Sequence, residues 1–136
     1  MDQNTINQVQ SSWKSVEAIS PQAAALFYSN LFTADPSLKQ LFKADMTVQG
    51  KKLMQMIGAA VGKLNDLDSL VPILNSLAVR HVRYGVKDAH YDTVGVALLK
   101  TLEQGLGPTF TPGVKQSWTT VYQTMSGVMR DAAKSS

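Results

Sequence analysis

The chain has 136 residues, of which 44% are apolar and 17% charged, and its formal net charge is +3. A chain of this length is expected to form one domain, here over residues 1–136, and this apolar content argues against disorder. The chain has no cysteine, which excludes disulfides, thiolate chemistry, iron–sulfur clusters and cysteine-based zinc sites. The apolar runs are far shorter than the roughly twenty residues of a membrane span. The polar start of the chain also lacks the features of a signal peptide, so we expect a soluble cytoplasmic protein.

The basic residues are spread along the chain rather than gathered into a tract. The isoelectric point is near 9.2, which is compatible with an anionic partner. Aromatic side chains are few, and none is interleaved with a dense basic cluster. We therefore expect neither a nucleic acid nor a membrane as partner.

Apolar residues recur at helical rather than alternating spacing, so helices are predicted and no strand is. The predicted helices are, in chain order, residues 5–19, a segment after residue 21, a short turn over 36–42, and then 48–64, 68–84, 91–106 and 112–133. Three pairs of a capping residue and a proline mark helix starts: Ser20-Pro21, Asp35-Pro36 and Thr111-Pro112. The prediction is an all-α fold with six or seven helices.

Other local signals refine the helix ends. Thr5 and Gln8 have the spacing of a capping box at the first helix. The carboxylates of Asp66 and Asp68 are interpreted as helix caps rather than as an acid pair. Gly85 stands where a left-handed residue often closes a helix. Residues 134–136 are expected to fray.

The chain has only two histidines, and their settings differ. His81 falls in register with Leu74 and Leu77 on an apolar helix face, which fits either a core histidine or an iron ligand. His90 lies near a predicted helix start, where a surface or capping role is favoured. His90 and Asp92 could form half of a metal site, but no third ligand falls at helical spacing.

The common catalytic motifs are absent. The chain has no Gly-x-Ser-x-Gly elbow and no phosphate-binding loop. The Gly105-Leu106-Gly107 stretch is followed by proline rather than by a helix, which argues against a dinucleotide fold. Nucleophilic catalysis and nucleotide binding are therefore not predicted.

Five positions are considered together, because they combine polar and apolar side chains on the faces of predicted helices. A buried Tyr28 would need a partner for its hydroxyl. Gln49 opens an amphipathic helix, and Leu53 follows one turn later on the same face. A flat apolar ligand between this helix and that of His81 would meet aliphatic walls and one polar corner; Phe42 completes the set.

In order and spacing, five stretches resemble the globin family, specifically bacterial single-domain haemoglobins and the globin domain of flavohaemoglobins. The resemblance extends from about Ile6 to Met129. The stretches are residues 27–32 (FYSNLF), 36–42 (PSLKQLF), 49–53 (QGKKL), 80–86 (RHVRYGV) and 90–95 (HYDTVG).

The resemblance implies a globin fold that sandwiches haem b. It implies that His81 is the proximal iron ligand, that Phe42 stacks on the porphyrin and that Leu53 lies over the iron. Tyr28 and Gln49 match the distal pair that stabilises bound dioxygen in bacterial globins. Further haem contacts are expected at Lys52, Leu77, Arg80, Val86, Tyr91 and Val94, and Arg83 and Lys87 are additional candidates for the propionates. Lys52 could also ligate ferric iron.

The chain departs from the family at one proximal position. Tyr91 matches a tyrosine that hydrogen-bonds beside the proximal histidine. Flavohaemoglobin-like globins complete this network with a glutamate, and the matching position here is Ala133. Without that carboxylate, peroxidase-type cleavage of an O–O bond is not favoured.

The primary functional hypothesis is reversible binding of dioxygen and of other diatomic gases, nitric oxide and carbon monoxide. One alternative is nitric oxide dioxygenase activity, for which a separate reductase would have to supply electrons. Another is gas sensing, for which the sequence offers no transmitter domain. We expect a monomer or a weak homodimer. A small helical DNA-binding or scaffold protein remains the alternative without haem.

Overall fold

Six α-helices and two short 3₁₀ helices form the parts of the chain described by the computed structural model, residues 1–42 and 45–134. The α-helices are α1 (Gln3–Glu17), α2 (Ser20–Ala34), α3 (Met46–Gly62), α4 (Leu67–Arg83), α5 (Asp88–Leu106) and α6 (Pro112–Lys134). The 3₁₀ helices are Pro36–Leu41 and Gly107–Thr109. Within the described ranges there is no strand, which confirms the predicted all-α class. Lys134 is still helical, and the predicted fraying of residues 135–136 lies outside the described residues.

Aspartate side chains cap the starts of three of the α-helices. The Asp2 carboxylate accepts the Thr5 amide at 2.8 Å, Asp45 accepts the Thr47 amide at 2.8 Å, and Asp66 caps α4. The capping box predicted from Thr5 and Gln8 is therefore wrong. Asp2 already satisfies an orphan amide, so α1 begins two residues earlier than expected.

Two of the three predicted cap–proline pairs act as caps. Asp35 accepts the Ser37 amide at 3.1 Å, and Thr111 accepts the Val114 amide at 3.2 Å. The prediction for Ser20 is wrong, since the preceding Ile19 is the capping residue and makes no side-chain bond. The Ile19 carbonyl already accepts the Ala23 amide at 2.9 Å, which places Ser20 inside the helix.

One hydrophobic core joins side chains from all six α-helices. Helix α6 carries much of the packing, because both α1 and α4 lie against it, and α2 packs on α5 and α3. Trp13 and Trp118 meet at the α1–α6 contact, with ring centroids 6.1 Å apart. Helix α3 thus rests on α1 and α2 whereas α4 rests on α6, so the two helices that carry Gln49 and His81 have different supports. In the described parts of the chain, no helix is long and apolar enough to cross a membrane.

Helices α5 and α6 pack closely at Gly95. A Cβ atom added to Gly95 would lie 2.7 Å from Cε2 of Tyr122. The Tyr122 hydroxyl donates a 2.6 Å hydrogen bond to the Tyr91 carbonyl, so its ring is held at both ends and has little room to move. Only glycine fits this position without a shift of one helix.

We expect Gly95→Ala to lower the free energy of unfolding by about 1–3 kcal/mol, the usual cost of overpacking. Urea denaturation measures the change. Gly127→Ala, on α6 where an added Cβ meets nothing within 4 Å, is the matched control. It should instead gain about 0.5–1 kcal/mol from helix propensity. Equal stability of Gly95→Ala and wild type would contradict the packing argument.

Candidate functional site

His81 lies near the end of α4, on the face that buries Leu74 and Leu77. The ring as a whole is half-buried, but its Nδ1 atom is buried and has no hydrogen-bond partner within the described residues. Burial lowers the pKa of His81 below its ordinary value; a weak interaction with the backbone at Leu77 opposes this shift, and the Arg80 charge adds to it. The imidazole is therefore neutral at neutral pH. A neutral ring with one free nitrogen is the form that binds metal ions.

The chain after His81 is held in place by a tight turn. The Val86 amide donates to the His81 carbonyl at 3.0 Å, and Gly85 adopts a φ of 92° that favours glycine, as predicted. A Cβ atom on Gly85 would lie 3.5 Å from Cδ2 of Leu41. This contact places the α4–α5 corner beside the 3₁₀ helix that leads into Phe42.

Tyr28 is a buried polar group of α2. Its side chain is 7% exposed, and its ring centroid lies 5.3 Å from that of Phe42 and 5.9 Å from that of Phe32. Its hydroxyl reaches the Gln49 carbonyl only at 3.5 Å, well beyond the usual O–H···O distance. Burial raises the pKa of Tyr28 to about 12, so the phenol keeps its proton. The site therefore contains a neutral donor whose hydrogen-bonding capacity is largely unused.

Three more of the residues predicted to line the site lie on α3. Gly50 lets α3 cross α2 closely, because its Cβ would lie only 3.0 Å from that of Ala24. The adjacent Gln49 is half-buried, and its side-chain amide makes no hydrogen bond with the described residues. Leu53 packs against the core, while Lys52 is exposed.

Two of the cavities in the structure lie beside α2 and α3. Tyr28 and Phe32 line an open cleft of about 400 Å³ between α2 and α3, whose rim includes Thr47 and Lys51. Leu53 and Phe27 border a narrow apolar void of about 10 Å³ on the core side. Leu53 thus faces apolar surroundings, and Tyr28 lies between the core and an accessible surface.

The other side chains that were predicted to contact haem differ in their exposure to solvent. Leu77 and Tyr91 are buried, and Val86 and Val94 are half-buried against the core. The basic candidates Lys52, Arg80, Arg83 and Lys87 are all exposed. The structure thus brings Tyr28, Gln49 and Phe42 together and places the His81 corner beside Leu41.

His90 has the capping role that the sequence favoured. Its Nδ1 atom accepts the Lys87 amide at 2.9 Å at the start of α5. Among the described residues, no three His, Asp or Glu side chains are grouped so that they could hold a metal ion. His90 and Asp92 therefore do not belong to such a group.

Sequence reasoning missed one polar cluster, in which Arg130 of α6 meets the first turn of α5. Its guanidinium lies 2.6 Å from Asp92, 3.5 Å from Asp88 and 5.5 Å from the centroid of the Tyr91 ring. The four-residue spacing of the two aspartates puts both on one helix face. Nothing in the local pattern indicated which cation would face them.

Alkaline pH should weaken the fold partly through Tyr28, whose folded-state pKa is raised to about 12 from 10.0. This contribution is complete below pH 10 and is lost as pH rises through the folded pKa, because the unfolded chain releases its proton first. We expect Tyr28→Phe to make unfolding less pH-dependent between pH 10 and 12. Urea titrations of both proteins across this range measure the difference. Identical slopes would contradict the burial argument.

The globin family model matches residues 25–129, so the chain belongs to the globin family. Among curated proteins, it is 30% identical to neuroglobin from Danio rerio, over 89% of this chain and 85% of that protein. It is 28% identical to the flavohemoproteins of Vibrio cholerae (96% of this chain, 34% of that protein) and Bacillus subtilis (97% and 33%). The chain thus spans about a third of the length of these flavohemoproteins.

Solved structures confirm the globin fold. A bacterial globin from Campylobacter jejuni superposes with a TM-score of 0.86 at 23% identity, covering 98% of this chain and 97% of that one. An engineered carbene transferase, whose parent is described as a nitric oxide dioxygenase of Rhodothermus marinus, gives a TM-score of 0.89 at 22% identity. That match covers 99% of this chain and 94% of the other. At these identities the likeness concerns the fold alone.

Proposed function

We propose that this globin binds haem and reversibly binds dioxygen and other diatomic gases, with Tyr28 and Gln49 as the distal donors. The observation that carries the proposal is the Tyr28 phenol, which is 7% exposed and whose hydroxyl makes, among the described residues, only one long polar contact of 3.5 Å. A buried donor normally has a partner, because leaving it without one costs about 1–3 kcal/mol. A small polar ligand beside α3 would provide that partner.

The residues of α4 fit a haem group. His81 is neutral and its Nδ1 atom is buried, so Nε2 is the nitrogen proposed for an iron ligand bond. Leu77 offers an apolar surface one turn earlier on the same face. When bound, haem supplies an iron centre that takes up dioxygen, nitric oxide or carbon monoxide reversibly.

In this proposal, the distal side chains donate hydrogen bonds to the bound gas and exclude water from its site. Tyr28 stays protonated because its pKa is raised to about 12, so its O–H remains a donor throughout the physiological range. The Gln49 amide is the second donor, and Leu53 and Phe42 provide apolar walls. Donors in a water-poor pocket stabilise the partial negative charge of bound dioxygen more than donors in water do.

The proposal keeps several finer expectations from the sequence. These are haem b as the cofactor, one globin domain over residues 1–136, a monomer or weak homodimer, and a cytoplasmic location. The exposed cations Lys52, Arg80, Arg83 and Lys87 are proposed to meet the carboxylates of the cofactor. Tyr91, Val86 and Val94 are proposed to line its proximal side. For Lys52, ligation of ferric iron is the alternative role.

Adding one equivalent of haemin to the purified chain, reducing it and titrating it with dioxygen tests the proposal. We expect a visible spectrum that changes on oxygenation and returns on removal of the gas. Failure to bind haem, or rapid irreversible oxidation on the first exposure, would contradict reversible binding. A colourless protein would favour the scaffold or DNA-binding alternative.

Nitric oxide dioxygenase activity is the second candidate, favoured by the similarity to flavohemoproteins over one third of their length. The net reaction joins nitric oxide, dioxygen and one electron to give nitrate, so the reaction needs a reductase to supply the electron. A single turnover is not diagnostic, because most oxygenated globins react once with nitric oxide. Sustained nitrate formation with an added reductase would favour the enzyme. Stalling after one turnover would favour a binding or sensing protein.

A further inference from the structure

We propose that Arg130 is a positioning residue for His81: from α6 it holds the first turn of α5 and, with it, the connection that follows the His81 helix. The inference rests on the proposed function, because it concerns the geometry of the iron ligand. Arg130 itself lies on a different helix and need not touch the cofactor.

Three residues of α5, Asp88, Tyr91 and Asp92, converge on the Arg130 guanidinium. Its Nη2 atom donates to the Asp92 carboxylate at 2.6 Å and lies 3.4 Å from the Asp88 carbonyl. Its Nε atom is buried and lies 3.5 Å from the Asp88 carboxylate, close enough for an ion pair although not for a good hydrogen bond. The cation also lies over the Tyr91 ring. A planar guanidinium can contact all three at once, which a lysine ammonium cannot do in the same way.

A second contact fixes the same turn from the same helix. The Tyr122 hydroxyl donates to the Tyr91 carbonyl at 2.6 Å, four residues before Gly95, against which the Tyr122 ring packs tightly. Tyr91 is therefore held through its backbone by Tyr122 and through its ring by Arg130. The first turn of α5 cannot shift along α6 without breaking these contacts.

The α4–α5 connection transmits this restraint to His81. It is short, and both of its ends are bonded: Val86 donates to the His81 carbonyl at 3.0 Å, and Lys87 donates to His90 Nδ1 at 2.9 Å. Helix α4 also packs on α6, the helix that carries Arg130. Helix α6 therefore supports both sides of the corner, and loss of the Arg130 contacts frees one of them.

The test compares Arg130→Met, which keeps the aliphatic stem but removes the cation, with Asp92→Asn, which removes the partner charge from the exposed side. Lys115→Met, an exposed site on the same helix, is the matched control for lost charge. Two readouts follow His81 itself in the haem-loaded protein: the iron–histidine stretching band of the reduced, gas-free form, and the rate of haem loss to an excess of acceptor apoglobin.

We expect both variants to shift the band and to lose haem about tenfold faster, the lower end of the range for outer-shell partners of metal ligands. The double variant should be no worse than either single one, because both remove the same contact. An unmoved band in folded Asp92→Asn and Arg130→Met would overturn the inference, even if the unfolding free energy fell. A wild-type protein that holds haem without an iron–histidine band would instead contradict the assignment of His81, and so the proposed function.

Discussion

His81→Gly should lose the iron–histidine bond and most of the affinity for haem. The chain has only two histidines, and the other one caps α5 through Nδ1, so no second imidazole is placed to replace it. Added imidazole should restore the spectrum, because glycine leaves a space of the same shape beside Leu77. Optical titration with haemin, with and without imidazole, measures the loss and the rescue.

His90→Gln is the matched control for the removal of an imidazole. This variant should lose only the cap at the start of α5, which lowers the free energy of unfolding by about 0.5–2 kcal/mol. The haem spectrum should not change. A His81→Gly protein that binds haem with an unaltered iron spectrum would contradict the proximal assignment. Loss of the spectrum in His90→Gln alone would contradict it as well.

Tyr28→Phe should raise the dioxygen dissociation rate by about 10- to 100-fold, which corresponds to one hydrogen bond of about 1.5–3 kcal/mol to a charged group. Phenylalanine keeps the ring contacts with Phe32 and Phe42, so the change isolates the hydroxyl. Stopped-flow displacement of dioxygen by carbon monoxide measures the rate.

Tyr84→Phe removes a hydroxyl from a side chain that is 62% exposed, and it should leave the same rate unchanged. Gln49→Leu provides a second test of the distal pair, with an expected increase smaller than that of Tyr28→Phe, since Gln49 is only half-buried. A dissociation rate in Tyr28→Phe equal to that of wild type would refute the role given to the phenol.

Much of the fold was predictable because helix starts and helix faces are local features. The Asp35 and Thr111 caps, the glycine turn at Gly85 and the cap at His90 all follow from residue types at short spacing. The errors at Thr5 and Ser20 were local too, since each position had a neighbour that satisfied the same amide first. Which of two adjacent residues becomes the cap depends on the path of the preceding chain.

The sequence named candidate members of the site but not their geometry. The resemblance to globins named Tyr28, Gln49, Phe42 and His81, and the family assignment is confirmed. The individual roles of these residues stay predictions. The sequence pattern placed Tyr28 on an apolar face, yet the long 3.5 Å contact with the Gln49 carbonyl arises from the α2–α3 crossing at Gly50.

By itself, the sequence determined the all-helical class, the family and the absence of cysteine chemistry, because composition, helical spacing and short motifs are properties of neighbouring residues. Tertiary structure alone decided which distant groups meet. It set Arg130 over Tyr91 between two aspartates, and it pressed Tyr122 against Gly95. These contacts join residues about thirty or more positions apart, and their geometry comes from the packing of α5 on α6. A side chain's partner across such a contact is set by how two helices cross, which neither helix encodes alone.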